Sequence, residues 1–160
     1  MPNLSLDAID RRILVELQAD GRLSNVDLAD RVGLSPSPCL RRVKRLEEAG
    51  VIAGYRAMID PARVGLGIRA FVSVSIDQGK DLGGIKFRAA VLDVPEVTAC
   101  HIVSGESDFL LEVMVPGLEA YSALVLDKLL KLDGVTSVKS NFALETVKAA
   151  EALSLDYLPG

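Results

Sequence analysis

The sequence predicts an α+β chain in which a winged-type helix-turn-helix domain is joined by a strand linker to a ferredoxin-like βαββαβ domain. Three observations predict it. Before Gly50, apolar residues recur at helical spacing in three short segments, each opened by a capping residue. After Gly67, alternating apolar segments and two helical stretches follow in the order β-α-β-β-α-β. Between them Val51–Asp60 reads as a strand with Tyr55 and Ile59 packing, and Asp60-Pro61 and Gly65-Leu66-Gly67 then break the pattern. The domain bounds so read are 1–50, 51–67 and 68–160.

In the first segment Asp7 caps a helix whose Ile9, Ile13, Leu14 and Leu17 make one apolar stripe, ending near Asp20-Gly21. Ser24 opens the second, with Asp27 as an acidic variant of the capping box and Leu28, Ala29 and Val32 on its buried side. Gly33 falls where a helix end wants a left-handed residue. Ser35 then caps a third helix, Pro36 suits its first position, and Pro38 still lies within the first turn.

At about 100° per residue, Cys39, Leu40, Val43 and Leu46 gather on one side of this third helix. Ser37, Pro38, Arg41, Lys44 and Arg45 gather on the other, and Arg42 lies at the boundary. Two short helices around a tight glycine turn, the second with a basic outer face, describe a helix-turn-helix for double-stranded DNA. The net charge of −4 does not oppose this. Residues 1–60 hold nine basic and nine acidic side chains, and residues 61–160 hold nine and thirteen, so the excess is all in the second part. Phosphate attraction follows local potential, and no acid lies between Asp30 and Glu47. Ser37 and Arg41 are placed to donate to phosphate or bases, while Lys44 and Arg45 hold phosphates; a solvated basic helix face is the plainer alternative.

In the second domain Ile68–Ile76 alternates, with Ala70, Val72, Val74 and Ile76 on one face. A helix is expected over Leu82–Leu92, weakened at its start by Gly83-Gly84. Val97–Val103 and Phe109–Val115 are strands joined by the hairpin Ser104–Asp108; a helix over Glu119–Leu132 and a strand over Val135–Leu144 follow. Helices on one face leave the other face of the sheet open. Alternating apolar residues on both sides of Phe109–Val115 predict that two subunits pack sheet against sheet, which would also pair the DNA-binding units.

Several chemistries are excluded or disfavoured. No apolar run is long enough to cross a membrane, and the start has no basic leader, so a cytoplasmic protein is expected. Cys39 and Cys100 fall in different domains, and with His101 the lone histidine a zinc site is improbable. Cys39 is expected to pack as a small apolar residue, and His101 as a packed or interface residue. No phosphate-binding glycine loop or nucleophile triad is present, so neither an enzyme nor a cofactor is expected. Glu106 and Asp108 as an acid/base pair would lack a supporting group.

Ser24–Glu47 resembles the helix-turn-helix of the Lrp/AsnC (feast/famine) transcriptional regulators, and Cys100–Leu111 resembles that family's amino-acid-responsive domain. The resemblance implies a nucleoid-associated regulator without a cofactor, assembling as homodimers and then octamers or higher rings, with an amino-acid effector held where dimers meet. The DNA-binding positions are then Ser35, Ser37, Pro38, Arg41, Arg42, Lys44 and Arg45. Gly105, Glu106, Ser107 and Asp108 match the family's Gly-Asp-aromatic-Asp effector loop, with Glu106 in place of the usual Asp and Ser107 in place of the aromatic residue. Backbone N–H groups near Gly105 would meet a ligand carboxylate and Asp108 its ammonium, with Ser137 and Ser140 as polar partners across an interface. A DNA-wrapping architectural protein with little ligand control is the alternative function.

Overall fold

The computed structural model describes residues 5–77, 79, 84–149 and 152–157. The chain forms two compact units, one running to Met58 and including the tail from Lys148, the other spanning Ile59–Val147. The tail thus belongs with the helices and not, as the sequence division had it, with the sheet. Leu155 packs on the helical core. The Gln18 amide donates to the Leu153 carbonyl at 3.3 Å and accepts from the Leu153 N–H at 2.7 Å, and Arg11 pairs with Asp156.

The helical unit contains α1 (Ala8–Ala19), α2 (Asn25–Val32) and α3 (Pro36–Glu48). Asp7 and Asp10 form a reciprocal capping box: Asp7 accepts from the Asp10 N–H at 2.9 Å, and Asp10 accepts from the Asp7 N–H at 3.2 Å. At α2 the Asp27 N–H donates to Ser24 Oγ, and the Ser24 hydroxyl donates to the Asp27 carboxylate at 2.6 Å. Gly33, at φ 74°, turns the chain, and the Leu34 N–H closes α2 on the Ala29 carbonyl at 2.9 Å. The Asn25 amide donates to the Pro36 carbonyl at 2.8 Å, tying the starts of α2 and α3 together.

Ile13, Leu14, Leu28, Ala29, Val32, Cys39, Val43 and Leu46 are buried as the core of this unit. Leu40 departs from the expected buried side and is exposed. The buried positions of α3 step by four and three from Cys39 to Val43 to Leu46, and Leu40 lies a further 100° round the helix. Ser35 is the N-cap of α3 by position, but its side chain makes no capping bond.

Residues 51–60 form no strand. A strand requires a partner for its ladder, and none pairs with this segment among the described residues. Tyr55 and Ile59 are exposed rather than packed, and the Tyr55 hydroxyl donates to Glu47 at 3.0 Å. A short 3-10 turn, Ala62–Val64, ends on Gly65 at φ 81°.

The second unit is built on β1 (Ile68–Ile76), β2 (Val97–Ile102), β3 (Phe109–Val115) and β4 (Val135–Phe142), in the spatial order β2-β3-β1-β4 with every neighbour antiparallel. Ala70, Val72, Val74 and Ile76 of β1 and Phe109, Leu111, Val113 and Val115 of β3 are buried under the helices. Helix α4 spans Ile85–Val91 and buries Phe87 and Val91; the expected start at Leu82 and Gly83 lies outside the described residues.

The single helix expected over Glu119–Leu132 is three windings in succession. Helix α5 (Leu118–Ala123) runs into a π turn (Leu124–Lys128) and a 3-10 turn (Leu129–Lys131). Tyr121, Leu124 and Leu129 are the buried residues. The five-residue step from Leu124 to Leu129 matches a π turn, which keeps both on the core side where an even α-helix would rotate one away.

On the opposite sheet face Phe71 is exposed, Leu110 and Met114 are half-buried, and Arg69 pairs with Glu112 at 3.3 Å.

Candidate functional site

Helix α3 carries the basic cluster, and the structure splits it in two. Arg41 and Lys44 are exposed and have no ion-pair partner among the described residues. With Ser37, Leu40, Arg45 and Glu48 they line a shallow depression along the outer face of the helix. Ser35 and Ser37 are exposed beside it, and Pro38 is half-buried.

Arg42 and Arg45 turn toward α1 instead. Arg42 Nη1 lies 2.7 Å from Asp7 Oδ2 and 2.9 Å from Asp10 Oδ1, and Arg45 Nη2 pairs with Asp10 Oδ2. The Asp10 side chain is 0% exposed, and among the described residues its charge is compensated by these guanidinium groups and the Asp7 N–H. The Asp10 N–H and then the Arg42 guanidinium hold the Asp7 carboxyl below its ordinary pKa, and the same carboxylates raise that of Arg42. Sequence reading placed Arg42 at a boundary and missed Asp10. Its position three after the N-cap is a signal for a capping box that could have singled it out, while its reach to α3 is a tertiary contact.

The other candidate is the loop between β2 and β3. Gly105 sits at φ 131°, where a side chain would be strained. Asp108 is tied into the sheet: its Oδ2 accepts from the Ile76 N–H at 2.8 Å, its N–H donates to the Val74 carbonyl at 3.0 Å, and its carbonyl accepts from the Val103 N–H at 3.1 Å. Glu106 is almost fully exposed, 3.7 Å from Lys139 Nζ, and Ser107 is half-buried.

The two serines of β4 are not brought together. Ser140 is opposite Val72 on the helix side, where it bonds the Tyr121 hydroxyl; Ser137 is opposite Ser75 on the open face. Within one chain they cannot line one pocket, because an odd separation along a strand puts side chains on opposite faces. His101 is exposed on β2, opposite Leu110. Cys39 is buried as expected, and burial pushes its thiol pKa up.

A capped helix pair with an outward cationic face, in a chain that also carries a separate βαββαβ unit, defines a helix-turn-helix DNA-binding protein. Residues 6–53 match the winged helix-turn-helix DNA-binding model, and residues 69–153 match that of the Lrp/AsnC ligand binding domain. The chain belongs to the Lrp/AsnC family of transcriptional regulators and is not an enzyme. It is 45% identical to the leucine-responsive regulatory protein of Salmonella typhimurium over 152 residues, covering 95% of this chain and 93% of that one. A transcriptional regulator of Neisseria meningitidis in complex with L-Met shares 45% identity at a TM-score of 0.92, over 96% of this chain and 99% of that one. A feast or famine regulatory protein of M. tuberculosis, complexed with L-methionine, shares 35% identity at a TM-score of 0.82, with coverage of 96% and 99%.

Proposed function

We propose that the protein binds an operator through α3 and that an α-amino acid, held at the loop between β2 and β3, shifts its assembly and so its DNA binding. One observation carries the DNA half: Arg41 and Lys44 stand unpaired among the described residues beside Ser37 on the outer face of α3. Ser35 and Pro38, at the start of that helix, are placed to approach the backbone or base edges.

For the ligand half, Gly105 allows close backbone approach to a carboxylate, and Asp108 and Glu106 supply acceptors for an ammonium. Two structural neighbours are complexes with methionine, which supports an amino acid as the ligand class. Ser137 remains a polar candidate on the open face, and Ser140 is excluded from it by its bond to Tyr121.

The open face, with Phe71, Leu110 and Met114, is the surface on which two copies pair, and dimers then assemble into octamers or larger rings. Ligand bound where dimers meet favours one assembly over another by its differential affinity for the two. No described helix is long and apolar enough to cross a membrane; binding DNA places the protein with the nucleoid in the cytoplasm.

A thermal-shift screen of the proteinogenic amino acids on the intact protein tests the reading. An amino acid that raises Tm in the wild type and not in Asp108→Ala supports it. No stabilising amino acid, or an unchanged response in the variant, overturns the ligand assignment.

A further inference from the structure

We propose that Asp10 is a positioning residue that sets how many cations α3 offers to DNA, and so limits sequence-independent binding. The proposal rests on the reading of α3 as the DNA-facing helix.

The segment Arg41–Arg45 contains four cations, Arg41, Arg42, Lys44 and Arg45. Arg45 lines the same depression as Arg41 and Lys44 and is 44% exposed, so its place on the helix alone would let it reach a phosphate. What holds it back is a carboxylate with no access to water. Asp10 Oδ1 accepts from Arg42, and Oδ2 accepts from Arg45 and from the Asp7 N–H. A guanidinium that left for a phosphate would strip compensation from a buried charge, whereas the phosphate it joined would already be solvated and screened. Arg42 and Arg45 therefore stay on α1, and Arg41 and Lys44 are left for DNA.

Each phosphate contact adds affinity without regard to sequence and steepens the salt dependence of binding. Withholding two cations lowers binding to arbitrary DNA, while base-directed contacts from the exposed positions are untouched. Asp10 thus favours discrimination over raw attraction, from a position beneath the DNA-facing surface.

The test is the affinity of the intact protein for a mixed-sequence DNA duplex, read by fluorescence anisotropy across a potassium chloride series. Arg41→Ala and Lys44→Ala are expected each to flatten the log–log salt slope by ~0.9 for every subunit whose α3 lies on the DNA, the value for one phosphate contact apiece. Arg42→Ala and Arg45→Ala are expected to keep the wild-type slope while lowering Tm. Asp10→Asn keeps the shape, removes the charge, and is expected to steepen the slope by ~0.9 or more per DNA-contacting subunit as Arg45 is released. A merely structural Asp10 would not move the slope in that direction. Flattening by Arg45→Ala to the extent seen for Arg41→Ala overturns the proposal, and the arginine variants decide it even if Asp10→Asn fails to fold. If neither Arg41→Ala nor Lys44→Ala changes the slope, the DNA-facing reading of α3 falls instead, and this proposal with it.

Discussion

The Asp108 carboxylate accepts a hydrogen bond from the backbone N–H of Ile76, 2.8 Å away, and so fastens the loop between β2 and β3 to the end of β1, one of the two inner strands. A residue assigned to a ligand is therefore also part of the sheet. On the proposed reading, an ammonium that displaced Asp108 would act directly on β1, which pairs with both β3 and β4.

The two roles of Asp108 separate by substitution. Asp108→Asn keeps an oxygen acceptor for the Ile76 N–H but removes the charge that would pair with an ammonium. Its chemical denaturation midpoint should stay near that of the wild type while the thermal response to the effector is lost. Asp108→Ala loses both, with a destabilisation of ~1–2 kcal/mol.

Gly84 cannot carry a side chain. Its φ is +67°, and a Cβ there would lie 2.5 Å from the Phe109 ring, which is itself packed on Phe87 with ring centroids 4.5 Å apart. Gly84→Ala should destabilise by ~2–3 kcal/mol through strain and overpacking together. Gly33→Ala is the comparison. It shares the left-handed backbone, at φ +74°, but has nothing within 4 Å of the added carbon, so equilibrium urea unfolding should show a loss of only ~1 kcal/mol.

Acid should loosen the contact between α1 and α3. The Asp10 N–H and Arg42 depress the Asp7 pKa in the folded protein. A depressed carboxyl contributes stability that is present above its unfolded pKa, near 4, and lost as pH falls through the folded value. Because Asp7 is half exposed, the contribution is small. Asp7→Asn, which keeps a capping side chain, should remove this part of the acid dependence in Tm measured from pH ~5 down to ~2.

The tail is a structural part of the helical unit. Leu155→Ala should lower the stability of that unit by ~1 kcal/mol, given its partial burial, and raise amide hydrogen exchange in α1. Unchanged exchange in α1 would show that the tail is not held there in solution.

Much of this architecture was legible because it is written in local patterns. Asp7, Ser24 and Gly33 announce helix ends through their own backbone preferences, and the alternation of β1 and β3 reports a face that must be buried. The strand read over residues 51–60 failed because a strand is defined by a partner, which composition does not reveal. The π turn after Ala123 and the docking of Leu153 and Leu155 near α1 depend on the shape of a core assembled from distant residues. The candidate site divides the same way. The basic face of α3 was visible as spacing, while the capture of Arg42 and Arg45 by Asp10 joins residues more than thirty positions apart.

The central claim, that α3 binds DNA under the control of an amino acid sensed by the sheet domain, is tested by one titration. DNA fragments enriched by the protein from a genomic library would be titrated at fixed salt, with and without the amino acid that raises its Tm. The account predicts that the amino acid changes the affinity on the order of five-fold or more, and that Asp108→Asn abolishes the change while still binding DNA. Superimposable isotherms with every amino acid would contradict it.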